Sequence, residues 1–249
     1  MFEEIFDDIE KSLTESEKVQ FVALILDKSG SMAGMESTTR EIVHEQISEI
    51  FDLSRKTNIH TYVTIASFSD YNNFEMNTFD LTNQKSIEDC DNYTKDTYRC
   101  GGLTALYDSI QKVISHIQEK NKENKNKEIE NLIITVSDGL ENNSKEVTDS
   151  SILKKQVEEL EKQEDPKWKF VYLGTMESLD NARDTSIKSY NTMTFDSNPL
   201  DMKEKFKAVS ASNRVYYNSR SIGRDTSAVC YSDEGVHCNN DESKTDEGS

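Results

Sequence analysis

A nearly continuous apolar run that ends abruptly in an acidic residue is the feature that most limits how this chain can fold. Residues 19–26 form this run, which is typical of a central strand buried on both faces of a sheet. Asp27 follows at once, and Ser29 and Ser31 come after it on alternate residues. One carboxylate and two hydroxyls in a loop at the end of a strand form a compact set of the oxygen ligands that Mg²⁺ prefers.

Strand and helix patterns alternate along most of the chain. Helical spacing of apolar residues predicts helices at 35–53, 105–117, 147–160, 178–185 and 200–209. Besides the first run, strands are predicted at 59–68, 73–81, 132–136, 168–173 and 189–195. The short turn between the second and third strands predicts an antiparallel hairpin. This order predicts an α/β fold, namely a doubly wound, mostly parallel sheet with one antiparallel edge strand and helices on both faces. The polar segment 82–100 is expected to be irregular.

Three regions of different character divide the chain. Residues 1–17 are acidic, and their apolar positions have helical spacing, which predicts an amphipathic helix. Such a helix either packs on the domain or docks a basic partner. Residues 18–212 carry the predicted α/β domain. Residues 213–249 are rich in Ser, Asp, Asn and Glu, and a segment with so few large apolar residues is expected to be a disordered acidic tail.

The charge and the cysteines exclude several classes of protein. The net charge of -18 argues against nucleic-acid binding, because Lys and Arg supply most of that affinity. No stretch approaches the roughly 20 apolar residues of a membrane helix, and the acidic N-terminus lacks the features of a signal peptide. These observations predict a cytoplasmic protein without a membrane partner. In that compartment the four cysteines are expected to be free thiols, with a pair of disulfides as the alternative.

Two further segments place oxygen ligands where the first motif needs them. Thr104 ends a Gly-Gly-Leu-Thr loop that opens a predicted helix, and Asp138 directly follows a predicted buried strand. Ligands of doubly wound sheets bind outside the carboxyl ends of the strands. Together with Asp27, Ser29 and Ser31, these residues offer two carboxylates and three hydroxyls. Each residue alone is an ordinary turn former or helix cap, but jointly they predict a metal site.

Two other acidic residues lie close to these segments in the sequence. Asp70 is predicted to be a turn residue, and Asp108 is predicted to be a solvated residue on a helix.

The ordered motifs resemble the metal-ion-dependent adhesion site of von Willebrand factor type A domains. Asp-x-Ser-x-Ser matches Asp27, Ser29 and Ser31, the lone threonine matches Thr104, and the second aspartate matches Asp138. The resemblance spans roughly residues 18–213, and phrases such as Ser-Asp-Gly-Leu-Glu-Asn are similar to bacterial and phage members. It implies that the five residues hold Mg²⁺, with Mn²⁺ or Ca²⁺ as alternatives. It also implies that a protein partner fills an open coordination position with an Asp or Glu carboxylate.

Two other functions compete with a metal-dependent binding module. A phosphatase of the haloacid dehalogenase type also begins with a strand-terminal aspartate and uses Mg²⁺, but its general acid would fall at Ser29, which cannot serve as one. A decoy protein would instead bind a basic partner through its acidic surface without a metal. No nucleophile set and no phosphate-binding glycine loop is visible, so the sequence predicts a protein that is not an enzyme.

Overall fold

A six-stranded sheet forms the centre of the computed structural model, which describes residues 17–232 and the backbone of 235–237. The strands are β1 (Lys18–Asp27), β2 (His60–Phe68), β3 (Phe74–Asp80), β4 (Glu128–Ser137), β5 (Lys167–Gly174) and β6 (Thr192–Thr194). Their spatial order is β3-β2-β1-β4-β5-β6, with β3 antiparallel to β2 and all other neighbours parallel. This sheet confirms the predicted fold class. The helix predicted for residues 1–17 lies outside the described residues, apart from Glu17.

Helices cover both faces of the sheet. They are α1 (Glu36–Thr57), α2 (Gln84–Thr97), α3 (Leu106–Glu123), α4 (Ser150–Glu161), α5 (Leu179–Asp184) and α6 (Pro199–Ser221). One face packs against α1, α2 and α6, and the other packs against α3, α4 and α5. None of the described helices is long and apolar enough to cross a membrane.

The central strand β1 fixes where the first motif lies. Its side chains alternate between the two hydrophobic cores, so that Phe21 and Ile25 face one layer of helices while Val22 and Leu24 face the other. β2 and β4 flank it in register, with Leu26 opposite Val136. The carboxyl ends of three neighbouring parallel strands therefore meet at one edge of the sheet, where Asp27 ends β1.

The segment 82–100 is helical over most of its length, contrary to the irregular structure predicted for it. α2 begins at an Asn83 cap, whose side-chain oxygen accepts the Ser86 N–H, and it buries a narrow stripe that includes Ile87, Cys90 and Thr94. The helix was missed because two of its four buried side chains are hydroxyl-bearing, which weakens the apolar period. The buried Thr94 hydroxyl has a hydrogen-bond partner, because it donates to the Cys90 carbonyl at 2.8 Å.

The last helix and the segment after it also differ from the prediction, which placed a disordered tail from residue 213. α6 continues to Ser221, and a small antiparallel pair, β7 (Val229–Ser232) and β8 (Gly235–His237), follows it. The second half of α6 buries polar side chains that have hydrogen-bond partners. The apolar periodicity of the sequence therefore fades although the helix remains buried. Tyr231, for example, donates to Asn213 Oδ1 at 2.9 Å. Residues 238–249 lie outside the described part of the chain.

The cysteines are not all free thiols. Cys90 and Cys100 are free, and burial raises the pKa of both thiols to about 12, so neither is reactive at neutral pH. Cys230 is disulfide-bonded. It is buried on β7, where its backbone carbonyl accepts the Ser212 hydroxyl of α6 at 2.8 Å. The prediction of a free thiol was therefore wrong at Cys230.

A buried lysine ties β7 to the sheet and makes stability depend on pH. Lys169 donates to the carbonyls of Ser227 and Val229 at 3.2 and 2.8 Å, and burial lowers its pKa to about 8. The unfolded chain, with a lysine pKa near 10.4, binds more protons between pH 8 and 10, so this residue contributes stability as pH rises. Relative to Lys169→Met, the wild type should gain on the order of 2 kcal/mol between pH 7 and 9.5. Urea unfolding of both proteins measures this, and a constant difference over that range contradicts it.

Candidate metal centre

All five residues predicted to form the site lie at the carboxyl edge of the sheet. Asp27 ends β1, Asp138 directly follows β4, and Thr104 lies just before α3. Ser29 and Ser31 come from the loop after β1, with Ser31 in the 3₁₀ turn Gly30–Met35. Ser31 is exposed to solvent and the other four are buried, so the group forms the floor of an open site.

The Asp27 carboxylate holds the first motif in shape. Its Oδ1 accepts the Ser29 N–H at 2.7 Å, and its Oδ2 accepts the Ser137 hydroxyl at 2.6 Å. The backbone of the same residue is also fixed, because the buried Tyr98 hydroxyl donates to the Asp27 carbonyl at 2.6 Å. Asp27 is therefore an anchor whose two carboxylate oxygens both accept hydrogen bonds from neighbouring segments.

The second aspartate contacts the first motif directly. Ser31 Oγ donates to Asp138 Oδ1 at 2.6 Å, and Ser29 Oγ lies 3.1 Å from Ser31 Oγ. The Asp138 carbonyl accepts the Thr175 hydroxyl at 3.0 Å, which links the loop after β5 to the same cluster. A chain of hydrogen bonds thus connects residues that are more than 100 positions apart in the sequence.

Thr104 completes the cluster from a third loop. A Cβ atom built on Gly139 would lie 3.1 Å from Thr104 Oγ1, 3.7 Å from Ser31 Oγ and 3.9 Å from Asp27 Oδ2. Oxygens from three separate segments therefore surround one small region of space beside Gly139. The absence of a side chain at residue 139 keeps this region open.

Backbone contacts bring the loops together. The Gly30 N–H donates to the Gly102 carbonyl at 3.1 Å, and the Gly101 N–H donates to the Lys28 carbonyl at 2.8 Å. Gly102 has a φ of +89°, and a Cβ there would collide with the Asp70 carboxylate, so this position requires glycine. The Gly-Gly pair ahead of Thr104 thus allows its loop to pack closely against the loop after β1.

The sequence of the site region identifies its family. Residues 22–141, which include all five site residues, match the family model described as the von Willebrand factor type A domain. The chain contains a von Willebrand factor type A (vWA) domain. No curated protein matches the sequence.

Solved structures share the fold of this vWA domain at low sequence identity. A von Willebrand factor type A protein from Catenulispora acidiphila is 10% identical with a TM-score of 0.53, covering 80% of this chain and 43% of that one. The open conformation of the pilus adhesin SpaC from Lactobacillus rhamnosus GG is 14% identical with a TM-score of 0.56, covering 80% of this chain and 31% of the adhesin. This chain therefore spans less than half the length of either protein, and the similarity concerns the fold alone.

The carboxylates of this vWA domain lie in an environment that disfavours their charged form. Burial raises the pKa of Asp27 from 3.8 to about 6, although hydrogen bonds from Ser137 and Ser29 oppose the shift. Burial also raises the pKa of Asp138, while the Ser31 hydroxyl opposes it. Two desolvated carboxylates that lie close together favour a bound cation.

Several residues that shape the site were not predicted from the sequence. Glu141 Oε1 accepts the N–H groups of Asn143 and Ser144 at 2.8 and 2.7 Å, and its Oε2 accepts the Tyr107 N–H at the start of α3 at 2.9 Å. Asn142 Oδ1 accepts the Thr104 N–H at 2.9 Å. The only signal for these roles is the Glu-Asn-Asn-Ser run after Asp138, which is typical of residues that bond to nearby backbone.

The two other acidic residues singled out in the sequence also support this region. Asp70 lies in the predicted turn, and its carboxylate additionally accepts the Leu103 N–H at 2.9 Å. Asp108 was predicted to be solvated, but it is buried and accepts backbone N–H groups from the loop before α4, including that of Val147 at 2.7 Å. That prediction was wrong because Asp108 faces the loop before α4, and nothing in the sequence indicates that this loop packs against the helix.

The donor set fits a hard divalent cation. Two carboxylates and three hydroxyls converge from separate loops, and oxygen is the ligand type of Mg²⁺, Mn²⁺ and Ca²⁺. Among the described residues, no group of three or more His, Cys, Asp or Glu side chains could hold a metal ion. A cation at this edge would therefore depend on the hydroxyls of Ser29, Ser31 and Thr104 as well as on the carboxylates.

Proposed function

We propose that this chain is a non-enzymatic, metal-dependent protein-binding module. Asp27, Ser29, Ser31, Thr104 and Asp138 would hold a divalent cation, with Mg²⁺ as the first choice and Mn²⁺ or Ca²⁺ as alternatives. The observation that carries this proposal is the convergence of Thr104 Oγ1, Ser31 Oγ and Asp27 Oδ2 on the space beside Gly139. A protein partner would contribute an Asp or Glu carboxylate.

The hydrogen bonds suggest different roles for the carboxylates and the hydroxyls among the five residues. Both oxygens of Asp27 accept hydrogen bonds, and Asp138 Oδ1 accepts the Ser31 hydroxyl, so the carboxylates orient the loop and its hydroxyls. The hydroxyls of Ser29, Ser31 and Thr104 would then be neutral ligands. A bound ion supplies a Lewis-acidic positive charge, which so few anionic ligands leave available to a partner carboxylate.

The geometry disfavours the phosphatase alternative. A nucleophilic aspartate needs an accessible carboxylate, whereas Asp27 is fully buried and both of its oxygens accept hydrogen bonds. The residue two positions on is Ser29, which is buried and offers no general acid. The acidic-decoy alternative requires only surface charge and gives no role to the converging hydroxyls.

Binding measurements on the whole chain test the proposal. Isothermal titration calorimetry with MgCl₂ and MnCl₂ should show one site per chain. A short peptide with a single glutamate should then shift amide signals near Gly139 and Thr104 in NMR spectra with Mg²⁺ but not with a chelator. Equal peptide binding in both conditions would reject the metal-bridged mechanism and support the decoy alternative.

Gly139→Ala should lower the affinity for the metal without unfolding the domain. The new methyl group would lie 3.1 Å from Thr104 Oγ1, which is tight, and it would occupy the region that the three oxygens surround. We expect a loss of Mg²⁺ affinity of about tenfold, the cost of about 1.4 kcal/mol at the site. Gly34→Ala is the matched control, because a Cβ there meets nothing within 4 Å. Calorimetric titration that gives both variants the wild-type affinity contradicts the placement of the ion.

A further inference from the structure

Exposed apolar side chains lie in the loops that carry or support the candidate metal centre. Of the described residues, six large apolar side chains are exposed, and three of them belong to loops of the site: Leu103 at 48%, Leu140 at 51% and Met176 at 71%. We refer to these three residues as the apolar rim. Exposed apolar groups that cluster around a functional site mark an interaction surface more often than singly scattered ones do.

We propose that the apolar rim binds a partner segment in which the metal-directed Asp or Glu is flanked by large apolar side chains. This inference rests on the proposed function and adds to it the chemistry of the partner. The rim would contact the flanking side chains while the acidic side chain enters the centre.

The sequence places each rim residue next to a residue that is anchored in the site. Leu103 precedes Thr104, and its own N–H donates to Asp70 Oδ1 at 2.9 Å. Leu140 follows Gly139, whose carbonyl accepts the Asn181 amide at 2.8 Å. These contacts hold the backbone of the first two rim residues, so their side chains can be contacted without first ordering a loop.

Met176 is anchored in the same way. It follows Thr175, whose hydroxyl donates to the Asp138 carbonyl at 3.0 Å. The Thr175 carbonyl in turn accepts the Ser178 N–H at 3.0 Å, so the loop after β5 is closed on itself. Three loops that carry or support site residues therefore each present one apolar side chain to solvent.

The local charge favours an acidic partner despite the acidity of the whole chain. The net charge is -18, yet the segments 30–34, 101–104, 139–140 and 175–176 contain no charged residue, and the exposed Glu177 directly follows the last of them. The nearby Glu141 is turned inward, where its carboxylate accepts backbone N–H groups, including that of Tyr107. The segments that carry Leu103 and Leu140 thus offer a partner carboxylate an uncharged, apolar border.

The apolar border also selects the residues beside the partner's acid. Polar flanking groups would lose water against the rim without gaining hydrogen bonds, whereas apolar groups gain from leaving water. Removing about 55 Å² of apolar surface from water is worth roughly tenfold in affinity at about 25 cal/mol per Å². That preference is large enough to measure with short peptides.

NMR titration of the full chain in Mg²⁺ tests this inference with three peptides. They are acetyl-Gly-Leu-Glu-Leu-Gly-amide, acetyl-Gly-Ser-Glu-Ser-Gly-amide and acetyl-Gly-Leu-Gln-Leu-Gly-amide. The leucine-flanked glutamate peptide should bind roughly tenfold more tightly than the serine-flanked one, and the glutamine peptide should not bind measurably. The ratio should fall to about one in the triple variant Leu103→Ser, Leu140→Ser, Met176→Ser. Ile222→Ser is the matched control, because this exposed residue follows the distal end of α6.

The outcomes separate the two proposals. Equal, Mg²⁺-dependent binding of both glutamate peptides overturns the role of the apolar rim and leaves the proposed function intact. A wild-type ratio in the triple variant also overturns it. Binding of neither glutamate peptide in Mg²⁺ overturns the proposed function itself. Chelator-resistant binding of the glutamine peptide would show an apolar patch unconnected with the metal and would overturn the inference.

Discussion

Asp27→Asn is expected to abolish the Mg²⁺-dependent rise in melting temperature while leaving the metal-free protein at least as stable as the wild type. The side chain is fully buried, and burial raises its pKa to about 6. Because this pKa is higher in the folded than in the unfolded chain, ionising Asp27 at pH 7 lowers the free energy of unfolding. The loss is absent at pH values below the unfolded pKa, where the carboxyl is protonated in both states. A neutral amide removes that loss, which amounts to at most about 3 kcal/mol.

The asparagine can keep the local hydrogen bonds. Its amide oxygen can accept the Ser29 N–H, and its NH₂ group can donate to Ser137 Oγ, which can then donate to the Gly139 carbonyl that already lies 3.2 Å away. The metal affinity should nevertheless fall by more than about 100-fold, because one of only two negative charges at the site is gone. At a Mg²⁺ concentration 100 times the wild-type dissociation constant, the ion stabilises the wild type by about 2.7 kcal/mol and the variant by at most about 0.4 kcal/mol.

Differential scanning calorimetry from 0 to about 20 mM MgCl₂ measures both effects. The control is Asp52→Asn, which neutralises an exposed carboxylate on α1 and should keep the full Mg²⁺ shift. A wild-type Mg²⁺ shift in Asp27→Asn would mean that the stabilising ion binds elsewhere.

Arg220→Met should be the most destabilising single substitution considered for this chain, at about 3–5 kcal/mol. The Arg220 guanidinium is buried and donates to Gln20 Oε1, the Val19 carbonyl and the Glu128 carbonyl at 2.7, 2.8 and 2.7 Å. It also lies 3.7 Å from the buried carboxylate of Glu130. Removing the guanidinium takes away the ion-pair partner of this buried carboxylate and leaves it with its hydrogen bonds from Tyr216 and Thr226.

Urea unfolding at pH 7 measures this loss. The matched control is Arg214→Met on the same helix, which removes an ion pair between this exposed arginine and Glu49 of α1 and should cost less than about 1 kcal/mol. Glu130→Gln in the Arg220→Met background should recover part of the stability, because Tyr216 and Thr226 can still donate to the amide oxygen. If Arg220→Met costs as little as the control does, the buried hydrogen bonds of Arg220 do not contribute the stability assigned to them here.

The sequence predicted the sheet well because its central strands are buried on both faces and read as apolar runs. β1 and β4 were found for this reason, and the hairpin of β2 and β3 followed from its short turn. Where burial depends on polar partners, the same pattern fails. The second half of α6 is held by Arg220 and Tyr231, and no periodicity of apolar residues could show it.

The candidate site also contains some residues that the sequence predicted and others that it did not. Asp27, Ser29 and Ser31 were visible because a motif directly follows a recognisable strand, and Thr104 and Asp138 follow similar landmarks. The residues that hold them could not be predicted, because their partners are backbone groups of distant loops. Glu141 and Tyr98 are examples, since each contacts a segment more than 30 residues away.

Anomalous diffraction from a crystal of the chain grown with Mn²⁺ tests the central claim most directly. We expect one strong manganese peak beside Gly139, within about 2.6 Å of oxygens of Ser29, Ser31 and Thr104. These three hydroxyls should point at the peak, with Asp27 and Asp138 behind them. A manganese peak only at other residues, or none at a concentration that saturates the calorimetric site, would contradict it.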